Sequence, residues 1–441
     1  MRSRLSGAGI CGPRSQQRGV RAAFAGLLVC VVMACVQARA AAQAIERVTF
    51  EEAIQRAVQS HPTVQQAAAG ILRAESILQQ VRSRSLPSVD AAISTNVIDP
   101  VPQFSGTSIN PRTQTATSVA LSVPLLTPVR WAERNQAEDE VLVSIRSADE
   151  ARRAVAVAAG QTYLSIIAER RVLELNERAR DNAAAHFTYA NQRYEGGLGS
   201  RLNALRAQQE VSTDDARVEE ARLAIRRAQE ALGVLIAAEG PVDAATEPAF
   251  DVPPPAVPEQ RLVTDRQDIQ VIVARQFAAE RRAADAWKDY LPSVTGLFTP
   301  NVLAPTGLFA NQRSWRASIL FTLPVFEAGG RRGQARERQA LVDVVRAQRT
   351  DAERRVNSEI RIAREAVAAT ERSLEFARTA AQQANEVVQI TDVAFREGAT
   401  TNIEVIDAQR RARDAETAAA IAEDAVRRAR FEVLVATGRF P

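Results

Sequence analysis

The pattern of apolar and polar positions along this chain switches from helical spacing to strict alternation and back, and it does so twice. A first helix is predicted from Thr49 to Arg84, with Thr49 and Glu52 spaced as a capping box and Pro87 following closely. Two alternating stretches come next, at about 88–98 and 115–124. Val89, Ala91, Ile93, Thr95 and Val97 alternate with Asp90, Ala92, Ser94 and Asn96; Thr117, Val119, Leu121 and Val123 alternate with Ser118, Ala120 and Ser122. A period of two is a strand signal. Strands of about ten residues have the length that crosses a bilayer as tilted barrel strands. Long helices are then predicted over about 129–194 and 201–237.

The plan recurs as a helix from Val263 to Tyr290, strands at about 293–300 and 314–324, and long helices at about 331–397 and 402–437. From Gln334 to Glu397 there are 64 residues without Gly or Pro, about 95 Å of helix. Local sequence repeats as well. Leu86-Pro87-Ser88-Val89 returns as Leu291-Pro292-Ser293-Val294, Tyr194 to Gly197 aligns with Phe395 to Gly398, and Arg226-Arg227-Ala228 with Arg427-Arg428-Ala429, at offsets of 205, 201 and 201. Landmarks in one order at nearly one offset mean two tandem copies of one unit. Repeat 1 is placed at 45–240 and repeat 2 at 261–441. The Pro-rich stretch 241–260 between them is expected to be an extended linker. Each copy makes a β-hairpin and a long helical hairpin. Narrow Ala-rich stripes such as Leu374, Ala377, Ala381 and Ala384 suit close helix pairing better than a thick core.

Composition changes the picture at the N-terminus. Arg2, Arg4, Arg14, Arg18 and Arg21 precede an apolar run from Ala22 to Ala34, followed by Ala-x-Ala sites that end at Ala44. This reads as a signal peptide over 1–44, with an apolar run too short to span a bilayer. A second reading takes Val32-Met33-Ala34-Cys35 as a lipoprotein box lipidated at Cys35. The leader holds six Arg and no acid, so its removal takes the net charge from +4 to about −2. Nucleic-acid binding thereby loses its electrostatic basis. All three Cys lie in the leader, and only His61 and His186 remain as imidazoles. A Cys/His metal centre is excluded, no cofactor is called for, and His186 has no obvious partner in the sequence.

The order of helix, Leu-Pro-Ser, two strands ending in Pro, long helix, Gly turn and return helix, written twice, resembles the TolC-like outer-membrane efflux proteins. The most specific piece runs from Phe395-Arg396-Glu397-Gly398 through Thr401-Asn402-Ile403-Glu404 to Asp407-Ala408. The resemblance implies a mainly α fold with a membrane β part: a homotrimer whose twelve strands close a β-barrel in outer-membrane lipid, continued by a periplasmic α-helical barrel. It implies a passive exit duct, served by a periplasmic adaptor and an inner-membrane pump of a tripartite efflux or type I secretion system.

The resemblance also assigns residues. Glu404 and Asp407 match an acidic constriction at the inner end of the tunnel. The positions of a Tyr–Arg–acid lock are occupied by Phe395, Thr400 and Asn203, so a different lock is expected, with Phe395 packing and Thr400 or Asn203 bonding. Gly197 and Gly199 in one turn and Gly398 in the other fall where an adaptor docks. Two other classes fit the residues less well. A pore-less periplasmic coiled-coil adaptor would carry one helical hairpin in β-rich domains, whereas two are found here. An enzyme using Glu404 and Asp407 as an acid/base pair would lack a phosphate loop, nucleophile elbow or metal cluster around them.

Overall fold

A computed structural model of the chain describes residues 45–251 and 259–440. The expected signal peptide, Cys35 and part of the linker lie outside the described residues. Strand β1 (Glu46–Val48) leads into α1 (Phe50–Ser60) and α2 (Pro62–Ser83). The single helix expected over 49–84 is therefore broken. His61 leaves the helical region with ψ 132° because Pro62 follows it, and its Nδ1 caps α2 by accepting from Thr63 N–H at 3.2 Å. Next come β2 (Ser88–Val97), a small hairpin of β3 (Gln103–Phe104) and β4 (Thr107–Ser108), and β5 (Thr113–Leu126). The long helices α3 (Pro128–Glu195) and α4 (Arg201–Leu235) follow. After β6 (Val242–Ala244) come α5 (Glu259–Thr264), α6 (Gln267–Ala284), a 3-10 turn, β7 (Ser293–Ala304), β8 (Arg313–Thr322), α7 (Gly330–Arg396) and α8 (Asn402–Ala436).

The four long strands form one antiparallel sheet in the order β2-β5-β7-β8. Its registers sort the side chains into two faces. Val89 pairs with Leu121, Leu121 with Phe298, and Phe298 with Ala317; Ile319 and Phe321 continue that face opposite Gly296 and Val294. The other face reads Ser88, Ser122, Leu297 and Ser318 across the same strands. The apolar face is uncovered: Ile93, Trp315 and Ile319 are 75%, 71% and 73% exposed. Both sheet edges, β2 and β8, are unpaired. Prolines mark the irregularities. The β5–β7 register shifts between Pro124 and Leu126. Pro300, which has no N–H to give, sits where the β5–β7 ladder is interrupted while its pairing with Trp315 on β8 persists.

Two short segments tie the halves of the chain together. Val242–Ala244, expected within the extended linker, is instead a buried strand paired in parallel with β1. Asp243 there accepts from Arg170 at 2.6 Å and from Gln229 at 3.0 Å, which satisfies its carboxylate below the surface. Beside this pair lies the aromatic core. Phe50 meets Tyr163 and Phe250 edge-on at 5.4 and 5.3 Å, and Phe431 meets Phe440 at 4.8 Å. Tyr163 Oη donates to the Thr246 carbonyl at 2.8 Å. Each such ring contributes about 2–3 kcal/mol by burial, and edge-on pairs add about 0.5–1.5 kcal/mol. A second, smaller core joins Leu262 and Ile269 to Val356, Ile360 and Val433.

Elsewhere the helices pair as long hairpins, α3 with α4 and α7 with α8. Ala132, Ala137, Ala148, Ala156, Ala159, Ala183 and Ala190 are buried along α3, small enough to let neighbours approach closely. Among the described residues no helix is long and apolar enough to cross a membrane.

Gly160 on α3 explains itself at the aromatic core: a Cβ there would lie 2.8 Å from Cζ of Phe431. Gly160→Val is expected to force that ring aside at a cost of about 1–3 kcal/mol. The measurement is a circular-dichroism melt in detergent, in which the midpoint falls; an unchanged midpoint contradicts the packing described.

Candidate functional site

The two helical hairpins end in turns of the same build. Gly197 and Gly398 have φ of +74° and +77°, the left-handed region that L side chains rarely adopt. Each turn is closed by the same two backbone bonds, Leu198 N–H to Arg193 O and Gly197 N–H to Tyr194 O in one, Ala399 N–H to Ala394 O and Gly398 N–H to Phe395 O in the other. Gly199 is needed for a different reason: a Cβ would lie 3.0 Å from the backbone of Arg193 and Tyr194. The return helices then start at Ser200, whose Oγ accepts from Leu202 N–H, and at Thr401. Glu404 completes a capping box there by accepting from Thr401 N–H at 3.2 Å.

Just above the turns, Phe395 is buried, 7% exposed. Its ring packs against His186 at 5.6 Å and Tyr189 at 5.9 Å, with the Arg193 guanidinium 5.7 Å from its centroid. His186 is buried with it, and its Nε2 lies 2.7 Å from Oδ1 of Asn402. Asn402 Nδ2 donates to the backbone carbonyl of Asn203 at 3.3 Å. With the amide nitrogen so used, Asn402 Oδ1 faces the imidazole and His186 carries a proton on Nε2. One chain of bonds thus joins α3, α8 and α4, and Phe395 joins α7 to it. His186, partnerless in the sequence reading, has a partner after all. Asn203 takes part through its main chain, not its side chain. No side-chain hydrogen bond of Thr400 is found among the described residues.

Next along the hairpins is a buried charge cluster that sequence reading missed. Glu210 and Asp214 on α4 and Arg413 on α8 are 4%, 3% and 8% exposed. Arg413 Nη1 donates to Asp214 at 2.7 Å and lies 3.4 Å from Glu210; Arg410 Nε donates to Glu210 at 2.8 Å and Arg217 to Asp214 at 3.2 Å. The cluster borders a partly open cleft of about 70 Å³, lined also by Arg178 and Asn182 of α3 and Asn385 of α7. Burial pushes the Asp214 carboxyl above the ordinary aspartate range, with Arg413 opposing the shift. Its members lie 199–203 residues apart, and no local spacing marks them.

Glu404 and Asp407 share an exposed face of α8, three residues apart. Neither is a free carboxylate in the protomer: Glu404 caps its own helix, and Asp407 lies 2.9 Å from Arg411, one turn on. That pair is 77% and 56% exposed, so solvent screens most of it.

The sequence matches the family described as Outer membrane efflux protein over residues 53–238 and 260–439, more than four fifths of the chain. This chain belongs to that family. The two matched segments fall on the two repeats. A comparison with curated proteins finds no match. Among solved structures, the chain is similar to the outer membrane protein VceC of Vibrio cholerae, with 17% identity, a TM-score of 0.74, and 88% of this chain and 96% of that one covered. It is also similar to the outer membrane channel CmeC of Campylobacter jejuni, with 16% identity, a TM-score of 0.76, and 88% and 85% covered. A membrane protein of Pseudomonas aeruginosa matches with 21% identity, a TM-score of 0.78, and 89% and 91% covered. As an outer membrane efflux protein the chain is a transport channel of the outer membrane that extends into the periplasm. The β2-β5-β7-β8 sheet is its membrane part, and the helical hairpins are its periplasmic part.

Arg413→Ala strands Glu210 and Asp214 as buried carboxylates beside two remaining, partly exposed arginines, Arg410 and Arg217. Breaking a buried pair costs about 3–5 kcal/mol, so faster amide exchange by mass spectrometry is expected around 210–214 and 410–413. Because the folded-state pKa of Asp214 lies above its unfolded value, the folded tip holds the proton more tightly. Stability contributed by that proton is lost as pH rises through the interval and regained below it. The deficit of the variant is therefore expected to shrink as pH is lowered toward the ordinary aspartate range.

Proposed function

We propose that three copies of this chain close into one twelve-stranded barrel continued by a helical tube, and that the assembly is the passive outer-membrane duct of a tripartite efflux or type I secretion system. The observation that carries this reading is the sheet: four strands with one apolar and one small, polar face, and bare edges at β2 and β8. Unpaired backbone groups have no partner in hydrocarbon. β2 runs away from the helices and β8 returns to them, so the edge of one copy can pair antiparallel with that of the next. Exposed apolar positions on the hairpins, including Phe376, Val387, Ile390 and Val393 of α7, supply further surface for neighbouring copies. A pore-less coiled-coil adaptor has no use for such a sheet.

In this assembly Glu404 and Asp407 place six carboxylates around one axis at the inner end, a ring that attracts cations. Phe395, held by His186 and Tyr189, keeps the hairpin ends together in place of a hydroxyl-based lock, with Asn402 bonding to Asn203 where Thr400 does not. The turns around Gly197, Gly199 and Gly398 are where a periplasmic adaptor meets the tube and links it to an inner-membrane pump. Small molecules or proteins then leave down the lumen, and the energy is spent at the pump.

Single-channel recording of the purified protein tests both parts. Glu404→Ala/Asp407→Ala is expected to abolish cation preference, read as a shift of the reversal potential toward zero in a salt gradient; an unchanged potential removes the acidic ring. Phe395→Ala is expected to raise conductance or open probability, and a conductance equal to that of the parent protein removes Phe395 from gating.

A further inference from the structure

The four membrane strands contain three charged residues, Asp90, Arg313 and Arg316. Arg313 opens β8 opposite Val302, on the apolar face and at the end away from the helices, where a long cationic side chain reaches the interface. Arg316 is different. It pairs with Thr299 and alternates with Trp315 and Ala317, which puts it on the polar face between Ser314 and Ser318. It lies six positions from the inner end of β8 at Thr322, so it stands within the strand and not at its rim.

No hydrogen bond or ion pair of Arg316 is found among the described residues. The acid on its face, Asp90, is on β2, three strands away, about 14 Å at the usual strand spacing. The seam with the next copy brings another β2 alongside β8. Asp90 stands two residues above the inner end of that strand and Arg316 six above the inner end of its own. With the inner ends level, the two are offset by four residues, about 13 Å along the strands. The side chain opposite Arg316 at that height is Ser94.

We propose that Arg316 forms an anion-selecting ring inside the barrel, recognising small multivalent anions of the phosphate or carboxylate class. This rests on the closed barrel proposed above. Three guanidinia then face one lumen. Twelve strands at about 4.8 Å spacing and about 40° tilt give a barrel about 24 Å across between backbones. Each arginine so stands within about one to one and a half Debye lengths of the axis at physiological salt. A guanidinium with five unused N–H donors matches the oxygen pairs of phosphates and carboxylates. The ring lies on the extracellular side of the three Asp90 carboxylates, so an ion entering from outside meets positive charge before negative. The channel therefore sorts anions at a place separate from Glu404 and Asp407.

The test is block of single-channel current by pyrophosphate added on the barrel side. Arg316→Ala and Arg316→Glu are expected to raise the half-blocking concentration at least about tenfold. Arg316→Lys is expected to retain most of the block, and Asp90→Asn to leave it as strong or stronger. Block is expected to persist in Glu404→Ala/Asp407→Ala, which places it away from the tip. All variants are checked for trimer migration in detergent, and the exposed position of Arg316 keeps them folded. Equal block in Arg316→Ala and the parent protein overturns the proposal, as does weakened block in Asp90→Asn, which shows the two paired across the seam. A parent trimer that conducts without block overturns the ring and leaves the barrel standing. Absence of any conducting trimer removes the barrel and the ring together.

Discussion

Backbone amides and carbonyls find no partner in hydrocarbon, and this constraint governs the rest of the chain. Strands β2, β5, β7 and β8 satisfy one another across three ladders and leave the outer sides of β2 and β8 bare. The sheet then needs its alternation kept in register across the four strands, because a slip by one residue would bring Ser118, Asn301 and Arg316 to the apolar face and send Ile93, Ile319 and Phe321 to the polar one. Of the two irregularities, Pro300 leaves the faces as they are, and the shift after Pro124 changes them only at the last position of the β5–β7 ladder, where Leu126 joins Val294 on the apolar face.

The periplasmic part obeys a different economy of packing. Helices of 68 and 67 residues are far too long to be covered by one core, and they are not. Burial is concentrated at the aromatic group around Phe50 and Tyr163 and at the smaller group around Ile360. Both lie where the ends of the repeats meet. Between these points and the tips, the wall is held by alanine contacts and by ion pairs, many within a single helix and worth little each. The tip needs more, and gets it from Phe395 with His186 and from the Arg413 cluster, where Glu210, Asp214 and Arg413 are buried.

Much of the architecture was legible in the sequence, for identifiable reasons. Period-two alternation at Val89–Val97 and Trp315–Leu323 reports a sheet whose two faces meet different solvents. A run of 64 residues without Gly or Pro and rich in Ala, Arg, Glu and Gln reports a helix through local propensity alone. The turns at Gly197 and Gly398 were visible because their geometry demands a residue without a side chain. What was not legible depends on contacts between distant positions. His186 and Asn402 are 216 residues apart, and Arg413 and Asp214 are 199 apart; neither spacing corresponds to a periodicity. The break at His61 was hidden because Pro is compatible with the first turn of a helix as well as with its end. The strand at Val242–Ala244 was hidden in a proline-rich context that reads as a spacer. Glu404 shows the opposite hazard, since the acid that the resemblance places at a constriction also has an ordinary local task as a cap.

The Arg413 cluster has a consequence for how a duplicated sequence can assemble. Glu210 and Asp214 belong to the first repeat, Arg410 and Arg413 to the second, at nearly equivalent turns of their hairpins. Each half keeps one counter-ion of its own on the exposed side, Arg217 in the first and Asp414 in the second. The buried triad is complementary all the same: Glu210 and Asp214 come from one half and Arg413 from the other. Two first repeats apposed would set four buried carboxylates against the partly exposed Arg217 side chains alone, so the charges favour contact between unlike halves.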